Sequence, residues 1–134
     1  MAPKEYLRQY AALNAEIDCK LEEKRQLEAL ATNISAAFGS GSGGSGVSDK
    51  VGRNVDKIID LEKEIDAKID KLVDLREEIE AAIEAVEDSR YRTILTERYI
   101  NGKKWADFAD NMHIDVRWVF SLHGYALKKI KIQQ

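Results

Sequence analysis

The residues best suited to chemistry lie in one run, HIDVRWVFSLHGYALKK at 113–129. Arg117 falls in the first turn of the helix this run predicts, where its forked guanidinium can reach a guanine edge or a phosphate. Ser121 can hydrogen-bond to a base or a phosphate. Gly124 costs about 1 kcal/mol in mid-helix relative to Ala, which implies a close approach there by another helix or by a phosphate backbone. Phe120 and Tyr125 remain outside or half outside beside them. Lys128 and Lys129, with Lys103 and Lys104 upstream and Lys131 beyond, flank the same groove as phosphate contacts. Together these are groups for gripping double-stranded DNA. A plainer account competes for the terminal lysines, because cations near a helix C-terminus favour its dipole with no ligand present. Trp105 and Trp118 are expected at the core or edge of the packing, and His123 as a half-buried packing residue.

Catalysis has no comparable set. No paired carboxylates, nucleophile with a base, or phosphate loop rises above a charged helical background, so the chain is not expected to be an enzyme. Cys19 is the single cysteine, so no intrachain disulfide can form. Cys19, His113 and His123 do not fall at zinc-ligand spacings, and no metal or other cofactor is expected. The start MAPKEYLRQY lacks the apolar core of a signal peptide, and no apolar run is long enough to span a bilayer. These features point to a reducing, cytoplasmic setting without a membrane.

The elements that must hold this face are helical. Charged residues make up 34% of the chain and aromatics 7%, with one Pro, a balance that favours long helices over sheets. Residues 1–38 predict a long N-terminal helix, with Pro3 in its first turn and a stripe at Tyr6, Tyr10, Leu13, Ile17, Leu21, Leu27, Leu30 and Ile34. Lys20 and Lys24 sit near the seam and weaken its middle. Residues 39–48 form a Gly/Ser-rich flexible linker. An eight-residue chain of this kind spans about 15 Å, enough to join two packed helices whose axes lie about 8–10 Å apart. Residues 49–88 predict a coiled-coil helix with Val55, Ile58, Ile65, Ile69, Leu72, Ile79, Ile83 and Val86 at 3-4 spacing, interrupted by Glu62 and Arg76. Ile59, Leu61, Val73 and Leu75 widen its stripe. A wide stripe asks for more than one packing partner, which predicts a homodimer through residues 55–86.

Residues 89–134 predict three short helices. The first is capped by Asp88 or Ser89 and runs through Tyr91, Ile94, Leu95 and Tyr99. NGKK at 101–104 is a turn sharpened by its Gly. WADFADNM at 105–112 is a two-turn helix whose Trp105, Phe108 and Met112 share a face, with Ala109 where a steep crossing needs a small residue. HID is a second tight turn with Asp115 as N-cap. Helix 116–131 buries Val119, Leu122, Ala126, Leu127 and Ile130. This is helix-turn-helix spacing. The expected fold class is therefore all-α: a long antiparallel, coiled-coil-like hairpin followed by a helix-turn-helix.

Charge sharpens the division. Residues 1–88 carry 12 Lys and Arg against 20 Asp and Glu, while residues 89–134 carry 9 against 4. From Val116 onward there are four basic residues and no acid. A basic end on an acidic chain suits a polyanionic partner.

The run LTERYINGKKWADFADNMHIDVRWVFSLHGYALKKI resembles region 4 of bacterial sigma factors. In its wording RYI…W…A…WV…LHGxAL it is similar to the ArpU-like and RinA-like transcriptional regulators of phages and prophages. The EYLRQ start and the KIIDLEKEID…LVDLREEI…AIEAVED stretch resemble a related family with a long helical front half, so the likeness covers nearly the whole chain outside the linker. Carried over by position, Trp105, Ala109, Val119, Ala126 and Leu127 match fold-keeping residues, and Arg117 and Ser121 match groove-facing ones. His113 replaces the usual Gly of the tight turn, Tyr125 a position where a basic residue is common, and Ser121 one that is often Lys.

The resemblance implies a phage-encoded, sequence-specific DNA-binding transcriptional regulator acting in the host bacterial cytoplasm, with RNA polymerase as a second partner. As a dimer, its two recognition helices would address half-sites about 34 Å apart. Two other readings fit the same elements. One is a small-terminase-like DNA-packaging protein, which would form rings. The other is a helical interaction module that binds RNA polymerase and never contacts DNA.

Overall fold

The computed structural model describes residues 1–38 and 45–132, with the backbone alone for residues 34–38 and 45–48. Every regular element among the described residues is helical: α1 (Pro3–Phe38), α2 (Ser45–Glu84), α3 (Ser89–Leu95), a π-helical turn (Thr96–Ile100), α4 (Trp105–Met112) and α5 (Val116–Lys129). The helix expected to begin at Asp49 already runs from Ser45 and stops at Glu84, so the last four residues of the expected linker are helical backbone. Residues 39–44 of that linker lie outside the described residues. No described helix is long and apolar enough to cross a membrane.

Two compact units account for the described chain: residues 15–71, and residues 1–14 together with 72–134. In the first, α1 and α2 contribute a thin apolar seam of Ile17, Leu61 and Ile65, each buried. Ion pairs line it in antiparallel register: Glu16–Lys68 at 2.6 Å, Lys20–Glu64 at 3.4 Å and Lys24–Glu62 at 3.2 Å. Lys20, Lys24 and Glu62, which interrupt the apolar pattern, are thus matched to opposite charges across the seam. Such solvent-exposed pairs add little stability, so they set register more than they hold the fold. Leu21, Leu30, Val55, Ile59 and Ile69 stay exposed in this unit.

The second unit holds the main core. Leu7, Ile79, Ile83, Ile94, Leu95 and Val119 are fully buried and cluster with Tyr10, Val86, Tyr99, Phe108, Ala109, Leu122, Ala126 and Ile130. Removing a side chain such as Ile94 to Ala would cost about 2–5 kcal/mol. Arg76, the other interruption of the α2 stripe, bonds Glu80 at 2.6 Å and reaches Tyr10 Oη at 3.3 Å.

The turns of this unit follow from local chemistry. Asp88 caps α3 by accepting from the Arg90 amide at 2.9 Å. Arg92 donates to the Val86 and Glu87 carbonyls at 2.6 and 2.7 Å, satisfying acceptors that the chain leaves bare just after α2. Past Leu95 the chain widens into the π turn, where the Asn101 amide reaches back to the Thr96 carbonyl at 3.0 Å. One continuous helix through Tyr99 was expected, and the extra residue of a π turn replaces its last part. Gly102 follows with φ 69, inside the expected NGKK turn.

Two expected core residues lie elsewhere. Met112, expected to pack beside Trp105 and Phe108, is half exposed at the last position of α4. Trp118, expected in packing, is also half exposed. The same helix buries His123 instead.

Candidate nucleic-acid interface

α5 is presented by a tight reversal. α4 ends at His113, whose backbone is left-handed at φ 55, ψ 42. The His113 amide bonds the Asp110 carbonyl at 3.2 Å, and the Ile114 amide bonds the Ala109 carbonyl at 3.0 Å. These bonds close the last turn of α4 while the chain changes direction. Asp115 then caps α5, accepting from the Arg117 amide at 2.7 Å. The Arg117 side chain, together with that amide, holds the Asp115 carboxyl below its ordinary value. α5 packs on α3 and α4 through Val119, Leu122, His123 and Ala126.

Opposite that buried face runs a strip spaced i, i+4, i+7 and i+11: Arg117, Ser121, Gly124 and Lys128. At about 100° per residue these four align on one side of the helix. All four are exposed, and the Arg117 side chain is 88% accessible. Its guanidinium rests 3.3 Å from Asp115, an open surface pair that a ligand can displace. Ser121 Oγ donates to the Arg117 carbonyl at 3.2 Å and keeps its lone pairs for a partner. A Cβ added at Gly124 would meet nothing within 4 Å. The described chain therefore brings no helix against Gly124.

The remaining expected contacts divide into separate places. Phe120 and Tyr125 lie on opposite shoulders of the strip, both half exposed. Lys128 Nζ is 6.0 Å from the Tyr125 ring centre. Lys104 is exposed at the N-cap of α4. Lys103 is bound to Glu97, and that hydrogen bond lowers the Glu97 pKa. Lys129 and Lys131 line a different hollow with Glu87 and Asp88, so they face acids and stand apart from the strip.

A second cluster, not expected from the sequence, sits on the flank of α5. His123 is only 8% exposed and its Nε2 lies 2.6 Å from Tyr99 Oη. One hydrogen lies between these two atoms, given by whichever the imidazole tautomer dictates. The Trp105 ring centre is 4.5 Å from that of His123, and Arg98 stands over Trp105 at 4.5 Å. Burial, with lesser repulsion from Lys4, Arg98 and Arg8, lowers the His123 pKa to about 4. His123 is therefore neutral at pH 7. The Lys4/Arg8 pair at i, i+4 was the available signal, but its closeness to residues 98–123 depends on long-range packing that periodicity does not reveal.

Among the described residues no cluster of His, Cys, Asp or Glu is arranged to hold a metal ion. Comparison with protein-family models, with curated proteins and with solved structures finds no match to this chain.

Proposed function

We propose that the chain is a sequence-specific DNA-binding protein whose α5 enters the major groove, in a helix-turn-helix formed by α3, α4 and α5 and similar to sigma region 4. The observation that carries this is the acid-free strip of Arg117, Ser121, Gly124 and Lys128, set opposite the packed face of α5 just after a tight turn. Arg117 in the first turn reads a base edge or holds a phosphate, Ser121 adds a hydrogen bond, and Gly124 leaves room for the duplex. Lys128 and Lys104 bind phosphate. The likeness to ArpU-like and RinA-like proteins makes the role a phage-encoded transcriptional regulator. The antiparallel ion pairs of α1 with α2 support a coiled-coil hairpin as its front half, and the exposed Val55, Ile59 and Ile69 support pairing of two copies.

The test is a DNA anisotropy titration across salt concentrations with a duplex selected on the purified protein. Each phosphate contact adds about −0.9 to the log–log slope. Arg117→Ala should weaken the selected duplex by about 1–3 kcal/mol and relax discrimination at one base position. A flat salt response, or no binding at low salt, would remove this reading.

One observation favours a second reading. Trp118, Phe120 and Tyr125 are all half exposed on α5, and exposed aromatics are typical of protein-docking surfaces. In that reading α5 binds a protein such as RNA polymerase. Retention of polymerase core by the wild-type chain but not by Trp118→Ala, with no DNA shift by either, would favour it.

A further inference from the structure

On the flank of α5, away from the exposed strip, a cavity of about 460 Å³ opens between the start of α1, the π turn and α5. Among the described residues three cations line it, Lys4, Arg8 and Arg98, beside the aromatic wall of Trp105, Phe120 and His123, and no carboxylate does. We infer that this cavity is a binding site for a phosphate-class oxyanion.

The argument begins with electrostatics. Lys4 and Arg8 stand one helical turn apart on α1, a spacing at which like charges repel and weaken a helix. Arg98 adds a third positive charge to the same hollow. In the α1–α2 seam Lys20, Lys24 and Lys68 are each matched to a carboxylate, Glu64, Glu62 and Glu16. Here the cations converge on open space instead. An oxyanion between them would relieve the repulsion and accept several charge-assisted hydrogen bonds.

The wall also suits an anion more than a flat aromatic ligand. Arg98 lies over Trp105 at 4.5 Å and donates to the Lys103 carbonyl at 3.0 Å, so its fork is held in place with further N–H groups to give. His123 takes the space beside Trp105, and Phe120 meets the same indole edge-on at 5.9 Å. The indole is thus already stacked, leaving the cations as the recognition groups. The His123 pKa is lowered first by burial, and Lys4, Arg98 and Arg8 add repulsion there, which places all three near the imidazole. The same chemistry is offered by a free phosphate, by the phosphates of a nucleotide and by a DNA backbone phosphate.

The test uses the full chain and inorganic phosphate, followed by NMR shifts of His123 and the Trp105 indole, with ionic strength held constant by chloride. The expected result is a saturable shift that chloride alone does not give. Lys4→Gln with Arg8→Gln should weaken it by about tenfold or more, with a melting temperature that is unchanged or slightly raised, because among the described residues neither side chain is tied to a carboxylate and their mutual repulsion is lost. Lys63→Gln with Lys71→Gln removes the same charge elsewhere and should leave phosphate binding intact. A nucleoside triphosphate arm and a short duplex arm identify the source. Duplex affinity that falls in step with phosphate affinity, beyond the charge-matched control, assigns the site to backbone phosphate. Unchanged duplex affinity with tight triphosphate binding assigns it to a small phosphorylated ligand. A linear shift equal to that of chloride, or equal phosphate affinity in the Lys4/Arg8 variant and the wild type, overturns the inference.

Discussion

Tyr99 and His123 meet inside the C-terminal unit at 2.6 Å, Oη to Nε2, joining the π turn to the middle of α5. This bond holds a neutral imidazole in a place where the charged form is disfavoured, first by burial and then by Lys4, Arg98 and Arg8. The consequence is a pH dependence of stability. The folded pKa of about 4 lies below the unfolded value of about 6.5. Between those values the unfolded chain binds more protons, so stability is full above about pH 6.5 and falls as pH drops towards 4. Discounted for the open side of the cavity, the loss is on the order of 2 kcal/mol. Urea unfolding at several pH values, compared with His123→Gln, isolates this contribution from the carboxylates, because Gln keeps a polar partner for Tyr99 but does not titrate. Equal pH slopes for both proteins would remove His123 from the account.

His113 offers a separate stability test. It holds a left-handed backbone conformation at φ 55 where Gly would carry no Cβ penalty. His113→Gly should stabilise the fold by about 1 kcal/mol, raising the melting temperature by about 3–5 °C. His113 is exposed and its side chain forms no hydrogen bond among the described residues, so little is lost in exchange. A lowered melting temperature would mean that the imidazole contributes more than its backbone conformation costs.

These two histidines show where sequence reading reached and where it stopped. His113 was legible because a turn, an N-cap and a following helix are local features: the Asp115 cap and the αL residue before it both stand where HID placed them. Val119, Leu122 and Ala126 were legible because a 3.6-residue period names a buried face. His123 was read as packing, yet its burial comes with a partner 24 residues away and with cations from α1, none of which periodicity can supply. The π turn hid for a related reason. An extra residue changes the helical phase without any composition cue. Met112 shares the face of Trp105 and Phe108 by spacing within α4, yet it is the last residue of that helix, where the core no longer reaches it. Lys20 and Lys24 break the seam by residue type alone, and only the carboxylates Glu64 and Glu62 on α2 make them part of it.

The exposed apolar residues of α2 predict self-association. Val55, Ile59 and Ile69 remain accessible in a unit where, among the described residues, Ile17, Leu61 and Ile65 are the buried apolar ones. Sedimentation velocity should show a concentration-dependent dimer, and Val55→Ser with Ile69→Ser should shift it towards monomer while helicity is retained. A strict monomer at high concentration would rule out pairing through residues 55–86. A ring of eight or more subunits would instead favour the DNA-packaging alternative.

Gly124 separates folding from function most cleanly. In mid-helix it costs about 1 kcal/mol relative to Ala, and an added methyl meets nothing within 4 Å. Gly124→Ala should therefore stabilise the free protein by nearly that amount. If α5 lies in the groove with its strip inward, the same methyl stands between Arg117 and Lys128, where the duplex comes nearest, and DNA affinity should fall. The two effects have opposite sign, so a general loss of structure cannot imitate them. Thermal unfolding and DNA anisotropy on one preparation read both. A raised melting temperature with weaker DNA binding places Gly124 at the contact face. A raised melting temperature with unchanged DNA affinity removes the Ser121–Gly124 part of the strip from the interface and leaves Arg117 and the flanking lysines to carry whatever binding is measured.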